Sequence, residues 1–323
     1  MAITKYTVGV AGSTHHTLLC AQALAADERF KIEWILTPPP QPVGRKQVIT
    51  PNPLHTWADT QHIPVTFVEK KIRPELREAL PSQPDFLLVA DFGYLVPKWL
   101  LELPRIAPIN IHPSVLPRWR GSSPGQFVLL DGELDSAVTI MVMGEGLDTG
   151  PLLWQEEFTL DMEWTQTEYY HHSFTLAARR LGTVLDDVAT GKVLPQPQSD
   201  ASPTPIARRL NKEDGYVSWK TLAPLVDMGY TEVEGAPESD SVLILQSQVR
   251  TGAPLSKTIA DAVRALAPWP GVWTIVPTAK GAQRLKILTA SYDAEKGIAI
   301  TLAQIEGSIQ EKWGNITKSI RSL

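Results

Sequence analysis

Short apolar runs alternate with longer amphipathic stretches over the first 160 residues of this 323-residue chain. The apolar runs are four to six residues long, end at Gly, Pro or polar residues, and lie at 6–11, 32–36, 65–68, 86–90 and 108–112. Runs of this kind predict β-strands. The stretches between them predict helices at 17–26, 54–61, 74–80 and 124–130. Because strands that alternate with helices form parallel sheets covered on both faces, we expect an α/β fold: a Rossmann-like, doubly wound, mostly parallel sheet.

Residues 137 to 190 extend this pattern by two strands and a long helix. The apolar runs at 137–143 and 152–158 are close enough in sequence to pair as antiparallel strands. The stretch 165–190 has the length of one long helix. Its apolar residues recur at helical spacing and are Leu176, Leu181, Val184, Leu185 and Val188.

A proline-rich segment separates this region from the rest of the chain. Residues 193–205 hold four prolines, a composition typical of an extended linker. Beyond it, β-like runs alternate with Gly and Pro turns at 242–245, 273–276, 285–290 and 298–302, which predicts a small β-barrel of the OB type. We therefore expect a catalytic domain at 1–192, a linker at 193–205 and an OB-like domain at 206–323.

Composition narrows the class of protein. A content of 43% hydrophobic and 20% charged residues is typical of a globular protein, and no apolar run approaches the roughly 18–20 residues that span a bilayer. The N-terminus lacks a signal-peptide pattern, so we expect a cytoplasmic protein without membrane contact. We also expect the protein to act as a monomer. Cys20 is the only cysteine, which excludes an intramolecular disulfide and a cysteine-based metal site.

The charge is low and unevenly distributed. A net charge of −5 argues against a protein that coats nucleic acid without specificity. Residues 1–204 carry 16 Lys and Arg against 23 Asp and Glu, whereas residues 205–323 carry 14 against 12. The C-terminal part can therefore accept a nucleic-acid partner, although its charge alone does not indicate one.

Three side chains with complementary chemistry follow two of the apolar runs. Asn110 and His112 lie two residues apart at the end of the predicted strand 108–112, so on a strand both point the same way. Asp148 follows the run 137–143 and a glycine, where a second strand can deliver it to the same place. An amide, an imidazole and a carboxylate together can stabilise an oxyanion and move a proton.

The residues around these side chains resemble the signature of the folate-dependent formyltransferases. That signature is Asn-x-His, then Ser-Leu-Leu-Pro-x-x-x-Gly, then an aspartate in Gly-Leu-Asp-Thr-Gly. The matching residues here are Asn110 and His112, then Ser114-Val115-Leu116-Pro117 with Gly121, then Gly146-Leu147-Asp148-Thr149-Gly150. Two further segments, 212–219 (Lys-Glu-Asp-Gly-Tyr-Val-Ser-Trp) and 268–274 (Pro-Trp-Pro-Gly-Val-Trp-Thr), resemble C-terminal markers of the branch that acts on methionyl-tRNA.

The resemblance implies a reaction and a set of site residues. The reaction is formyl transfer from 10-formyltetrahydrofolate to the α-amine of methionine on initiator tRNA, for translation initiation, without a metal. Asn110 and protonated His112 would hold the tetrahedral oxyanion, and Asp148 would keep His112 charged and oriented. The implied folate contacts are Ser114, Val115, Leu116, Pro117, Phe92, Gly93, Tyr94, Leu95 and Gly146. The implied tRNA contacts are Arg45 and Lys46 in the loop 38–53, and Arg118.

Other functions fit some of the same residues. A formyltransferase acting on an amino sugar or on glycinamide ribotide, or a formyltetrahydrofolate hydrolase, keeps the same three side chains, although the Arg45 loop and the Pro-Trp-Pro-Gly segment favour tRNA. An RNA-binding module with an inactive site would bind tRNA regardless of His112. A hydride-transferring enzyme is disfavoured because Gly9 and Gly12 do not complete a G-x-G-x-x-G turn. The six histidines besides His112 lack a partnered pattern and are expected to serve packing or to lie at the surface.

Overall fold

The computed structural model describes residues 6–44, 46–230, 232–233, 235–237 and 239–321, and of Arg321 the backbone alone. Its strands are β1 (Tyr6–Ala11), β2 (Phe30–Thr37), β3 (Gln41–Val43), β4 (Val48–Thr50), β5 (Val65–Phe67), β6 (Phe86–Ala90), β7 (Ala107–His112), β8 (Asp135–Val142), β9 (Leu152–Thr159), β10 (Val272–Thr278), β11 (Gly281–Asp293), β12 (Gly297–Ile305) and β13 (Glu311–Lys312). Its helices are α1 (His15–Ala25), α2 (Pro53–Gln61), α3 (Leu76–Ala79), α4 (Lys98–Leu101), α5 (Pro124–Leu130), α6 (Gln166–Ala189), α7 (Trp219–Leu225), α8 (Val242–Thr251), α9 (Leu255–Leu266) and α10 (Trp313–Arg321). A 3-10 turn covers Lys212–Gly215.

The described residues form two compact units. The first takes in the described residues of 1–122, 136–158 and 170–206. The second takes in the described residues of 123–135, 159–169 and 207–323, so two segments that precede the proline-rich segment belong to the same unit as the C-terminal part. The division into 1–192, 193–205 and 206–323 stays a prediction. In the described part of the chain, no helix has the length and apolar character needed to cross a membrane.

A seven-stranded sheet, in the order β5-β2-β1-β6-β7-β8-β9, lies at the centre of the first unit. Strands β5, β2, β1, β6 and β7 are parallel to one another, and β8 pairs antiparallel with β7. The strand order reverses between β1 and β6, because β2 and β5 extend to one side and β6 and β7 to the other. The prediction of a doubly wound, mostly parallel sheet is confirmed, including the long helix now seen as α6.

Both faces of this sheet are buried, as the alternation along β6 shows. Phe86 and Leu88 pack into one apolar cluster with residues of α1 and α6, whereas Leu87 and Val89 pack into a second cluster on the other face. Parallel strands covered on both faces read as continuous apolar runs, which is why β6 is apolar at every position.

Position 9 of β1 requires a glycine because the backbone there packs directly against the side chain of Trp34 in β2. A Cβ atom at position 9 would lie 2.3 Å from Cζ2 of Trp34, a side chain with no exposed surface. Close packing against Trp34 therefore explains the glycine at position 9, and this explanation involves no nucleotide.

The Gly9→Ala variant is expected to unfold with a free energy lower by roughly 1–3 kcal/mol, because the added methyl group overpacks a rigid core. The matched control is Gly144→Ala, since a Cβ atom there meets nothing within 4 Å. Urea titration of both variants measures the difference. Equal midpoints for the two variants would contradict this account of Gly9.

The second unit contains an antiparallel sheet in the order β10-β11-β12-β13. This sheet is consistent with the predicted small barrel, and the predicted runs 273–276, 285–290 and 298–302 lie within β10, β11 and β12.

The prediction of a β-like run at 242–245 is wrong, because these residues begin helix α8. The hydroxyl of Ser241 accepts a hydrogen bond from the Ile244 N–H and caps the helix, and Leu243, Ile244 and Ser247 are its buried residues. A four-residue apolar run carries no period that separates a strand from a buried helix.

Candidate active site

The structure brings Asn110, His112 and Asp148 together at the carboxyl end of β7. Asn110 is half-buried, and the side chain of His112 is 5% exposed. The Asn110 Nδ2 lies 3.5 Å from Oδ1 of Asp148, and the His112 Nδ1 lies 3.7 Å from Oδ2 of the same carboxylate. The carboxyl end of the strands is where open α/β sheets bind their ligands.

The backbone holds the carboxylate of Asp148 in place. Asp148 has a φ of 51°, in the left-handed region that Asp and Asn tolerate better than other side chains. The Gly121 N–H donates to its Oδ2 at 2.8 Å. The amide of Gln198 donates to the carbonyl oxygens of Asp148 and Gly150 at 3.0 and 2.6 Å. The position of this carboxylate is therefore set before any substrate arrives.

A backbone carbonyl fixes the ring of His112. Its Nε2 lies 3.0 Å from the carbonyl oxygen of Trp119, which accepts but cannot donate, so Nε2 carries the proton. Nδ1 then faces Asp148. Both ring nitrogens thus face acceptors, an arrangement that a protonated imidazole satisfies on both sides. Trp119 is itself buried, and its backbone N–H donates to the Thr204 hydroxyl at 2.7 Å.

The loop that follows His112 is held by a hydrogen bond within the loop and by one from strand β8. The buried Ser114 hydroxyl donates to the Arg118 carbonyl at 2.7 Å, and the Thr139 hydroxyl donates to the Ser114 carbonyl at 2.7 Å. Leu116 is buried and precedes a cis peptide bond, while Val115, Pro117 and Arg118 are half-buried. The hydroxyl of Ser114 thus serves the loop, and contacts of this loop with folate or tRNA stay predictions.

Sequence reasoning missed Arg120, which ties this loop to the proline-rich segment. The residue is 4% exposed. Its guanidinium donates to the Gln198 Oε1 at 2.9 Å, the Ser199 carbonyl at 2.7 Å and the Asp200 carbonyl at 3.1 Å. Part of the predicted linker therefore lies against the site. The only local pattern that could have indicated this role was the position of Arg120 between Trp119 and Gly121.

The Arg120→Lys variant is expected to lose about 1.5–3 kcal/mol of unfolding free energy, roughly the value of one hydrogen bond to a charged group. An ammonium group lacks the planar fork that reaches three acceptors together. The matched control is Arg179→Lys on the exposed face of α6, for which we expect a change within about 0.5 kcal/mol. Chemical denaturation measures both, and equal losses would contradict the role given to Arg120.

The other predicted contacts lie in exposed segments. Phe92 and Tyr94 are half-buried with ring centroids 5.0 Å apart, whereas Gly93, Leu95 and Gly146 are exposed.

Sequence reasoning missed the indole N–H of Trp99, which is buried with no hydrogen-bond partner in the described part of the chain.

The predicted tRNA loop contains the β3–β4 hairpin. Lys46 is exposed in the turn between the two strands, and Arg45 lies outside the described residues. In the portion of the chain that the structure describes, no group of three His, Cys, Asp or Glu side chains is placed to hold a metal ion.

A family model described as formyl transferase matches residues 6–185, which carry the whole cluster. The chain belongs to the formyl transferase family. The methionyl-tRNA formyltransferase of Geotalea daltonii is 30% identical over 275 residues, covering 85% of this chain and 77% of that protein. The enzyme of the same name from a Sulfurovum species is 33% identical over 253 residues, covering 75% and 81%.

Solved structures agree on the fold. A methionyl-tRNA formyltransferase from Clostridium thermocellum aligns with a TM-score of 0.56 at 15% identity, covering 93% of this chain and 98% of that one. An N-formyltransferase from Helicobacter canadensis, solved in complex with folinic acid and dTDP-3-aminofucose, aligns with a TM-score of 0.55 at 16% identity and covers 88% of each chain. The comparisons confirm the predicted family, its methionyl-tRNA branch and the assignment as an enzyme.

Proposed function

We propose that this formyltransferase moves the formyl group of 10-formyltetrahydrofolate to the α-amine of methionine esterified to initiator tRNA. The observation that carries the proposal is the cluster of Asn110, His112 and Asp148 at the carboxyl end of the parallel sheet. The relatives named methionyl-tRNA formyltransferase, which this chain matches over 77% and 81% of their length, support the choice of acceptor.

Two N–H groups of the cluster are suited to hold the oxyanion. When the amine attacks the formyl carbon, negative charge develops on the formyl oxygen. The contacts of Asn110 and His112 with Asp148, at 3.5 and 3.7 Å, are longer than ordinary hydrogen bonds. Both N–H groups thus keep capacity to donate to the oxyanion, and the carboxylate of Asp148 faces the imidazole while they do so.

Asp148 also has a role in moving a proton. After the attack, the former amine nitrogen must lose a proton and N10 of the folate must gain one before the C–N10 bond breaks. Oδ1 of Asp148 faces Asn110 and remains an acceptor for a water molecule that relays this proton.

The residues around the sheet edge fit a flat heterocycle. The Phe92 and Tyr94 rings supply an aromatic wall, and the Tyr94 hydroxyl donates to the Val68 carbonyl at 3.1 Å, which fixes its ring. The buried, unpartnered N–H of Trp99 can donate to an acceptor atom of the ligand. The folate supplies the formyl group when it is bound, and these residues orient it.

We assign contacts with the acceptor tRNA to the β3–β4 hairpin and, as a separate surface, to the second unit. A cavity of about 370 Å³ runs beside the hairpin and is lined by Ser13, Pro38, Pro39, Gln41, Val43, Thr50, Pro51, Asn52 and Pro53. In the second unit, the Arg284 guanidinium lies 4.5 Å from the ring centroid of Trp273, and the Lys212 ammonium lies 5.8 Å from it. Because Trp273 is 8% exposed, the exposed ammonium of Lys212 rather than the ring is available to tRNA phosphates.

Replacing Lys46 by Ala is expected to raise the KM for methionyl-tRNA about three- to tenfold with little change in kcat, because one phosphate contact is lost. The slope of the logarithm of the tRNA binding constant against the logarithm of salt concentration should also become shallower by about one. Lys71→Ala, at another exposed lysine, is the matched control. A fall in kcat without a change in KM would contradict the assignment of Lys46 to tRNA binding.

A comparison of acceptors tests the proposed function. The enzyme receives 10-formyltetrahydrofolate with charged initiator tRNA, a dTDP-amino sugar, glycinamide ribotide or no acceptor. We expect kcat/KM for methionyl-tRNA to exceed that for either small amine by at least about 10³-fold, as is typical when a site is built for one substrate. Transfer to a small amine alone, or release of formate alone, would overturn the choice of acceptor and leave the cluster in place.

A further inference from the structure

Two residues of the proline-rich segment hold the backbone beside the Asn110–His112–Asp148 cluster. The side chain of Gln198 contacts the loop that carries Asp148. The hydroxyl of Thr204 contacts Trp119, whose carbonyl bonds to the ring of His112. Each contact therefore ends on a residue that belongs to the cluster or bonds to it directly.

The amide of Gln198 has one possible orientation. An arginine side chain can only donate, so the amide oxygen faces the Arg120 guanidinium at 2.9 Å. Backbone carbonyl oxygens can only accept, so the NH₂ group faces those of Asp148 and Gly150, at 3.0 and 2.6 Å. Because the buried guanidinium polarises the amide, both of its N–H bonds become stronger donors. Glutamine thus supplies an acceptor and two donors from one side chain.

The turn that Gln198 closes sets the direction of the Asp148 carboxylate. Asp148 has a φ of 51°. A side chain in this backbone region persists only where the surrounding contacts over-determine the conformation. The single amide of Gln198 holds the carbonyls of Asp148 and Gly150 together, and the Gly121 N–H holds the carboxylate itself at 2.8 Å. Loss of the amide donors would therefore let the carboxylate turn away from its place.

The backbone of Trp119 is held in the same way on the imidazole side of the cluster. Its φ is 56°, an uncommon value for a bulky side chain. Its N–H donates to the Thr204 hydroxyl at 2.7 Å, and its carbonyl lies 3.0 Å from Nε2 of His112. The Ser202 hydroxyl donates to the Thr204 carbonyl at 2.9 Å and so fixes Thr204 in turn. One side of residue 119 is thus tied to the proline-rich segment and the other to the catalytic ring.

Arg120 joins these two supports. It lies between Trp119 and Gly121, the two residues whose backbone groups bond the imidazole and the carboxylate of the cluster. Its guanidinium is 4% exposed and donates to the Gln198 side chain and to two carbonyls of the same segment. One segment of the chain thus holds the carboxylate relative to the imidazole.

We propose that Gln198 and Thr204 are positioning residues for formyl transfer. Gln198 sets the carboxylate of Asp148. Thr204 sets the ring of His112 through Trp119. Both act through other residues of the site rather than on the reacting atoms, so their effect belongs in kcat. A misplacement of about 1 Å can lower a rate about 100-fold. This inference rests on the proposed function.

The first test removes the two donors of Gln198 in two ways. Gln198→Met leaves the charge unchanged, and Gln198→Glu keeps an acceptor for Arg120. Both should lower kcat for methionyl-tRNA about 30- to 100-fold, with the KM for tRNA and for folate within about threefold of the wild type. The matched control is Gln196→Met, because the exposed Gln196 donates to the Leu194 carbonyl of its own segment. Its kcat should stay within about twofold of the wild type.

The second test separates the hydroxyl of Thr204 from the rest of its side chain. Thr204→Val has the same shape without the acceptor for the Trp119 N–H and should lower kcat about tenfold. Thr204→Ser keeps the hydroxyl and should stay within about twofold of the wild type. Equal kcat values for the two variants would contradict the role given to Thr204.

The third test asks whether Gln198 acts through Asp148. Gln198→Met is added to Asp148→Asn, an enzyme without the carboxylate that Gln198 positions. The added change should lower kcat by less than about threefold, because residues that act as a unit are not additive. A general loosening of the fold would lower kcat by the same factor in both backgrounds.

Two outcomes would overturn the inference while the proposed function stands. One is a kcat within threefold of the wild type for both Gln198 variants. The other is a loss from Gln198→Met that is as large with Asp148→Asn as without it. If the wild type releases formate or formylates a small amine in place of methionyl-tRNA, the proposed acceptor is wrong. The same ratios of kcat measured on that reaction then decide the inference.

Discussion

Asp148→Asn is expected to lower kcat about 10³–10⁴-fold with little change in either KM, because a carboxylate that orients and charges a catalytic imidazole contributes on this scale. Asn has the shape of Asp and tolerates the φ of 51° at this position. Its amide oxygen can still accept from the Gly121 N–H, so the loop geometry is retained. The variant thus removes the negative charge at position 148 and retains the fold. Single-turnover formyl transfer measures the effect.

The control for this variant is Asp227→Asn. Asp227 also has a left-handed backbone, with a φ of 53°, and no role in the reaction is assigned to it. The buried thiol of Cys20, which reacts with a water-soluble reagent only after unfolding, checks that the first unit is intact. An Asp148→Asn enzyme within tenfold of the wild type would show that the charge of Asp148 is not needed.

His112→Gln is expected to lower kcat by about 10³-fold or more, because it removes both the positive charge and the fixed ring at the oxyanion. The Gln side chain can still reach towards the Trp119 carbonyl that holds the ring in the native enzyme. Folding should therefore be preserved, and the loss should be in kcat rather than in the KM for folate or tRNA.

The double variant His112→Gln with Asp148→Asn separates a coupled pair from two independent groups. When two residues act as a unit, replacing either one removes most of their joint contribution to kcat. The kcat of the double variant should therefore lie within about tenfold of the kcat of the less active single variant. Losses that multiply would mean that Asp148 acts on the reaction by a route independent of His112, and the geometry at 3.7 Å would need another explanation.

Local sequence patterns were sufficient for most of the first unit. Apolar runs bounded by Gly, Pro or polar residues predict β1 and β6 with the bounds that the structure has. The spacing of Asn110 and His112 placed both at the end of one strand, and the structure brings Asp148 to them. These features depend on neighbours in sequence or on a shared strand, which a single chain displays.

Features that depend on contacts between distant segments were not predictable. His16 and Asp91 are 75 residues apart, and their contact follows from the register of β1 and β6, which no local pattern reveals. The bonds from Arg120 to the segment around Gln198 span 78 residues or more. The sequence also presented that segment as a linker, because prolines indicate extended backbone without indicating what it packs against.

Transfer of labelled formyl from 10-formyltetrahydrofolate to methionine on initiator tRNA by the wild-type enzyme tests the central claim most directly. Mild hydrolysis of the tRNA ester after a single turnover should release labelled N-formylmethionine, and none should form with His112→Gln on the same time scale. Unlabelled methionine from a reaction in which the label appears as formate or on a small amine would contradict the assignment of initiator tRNA as the acceptor.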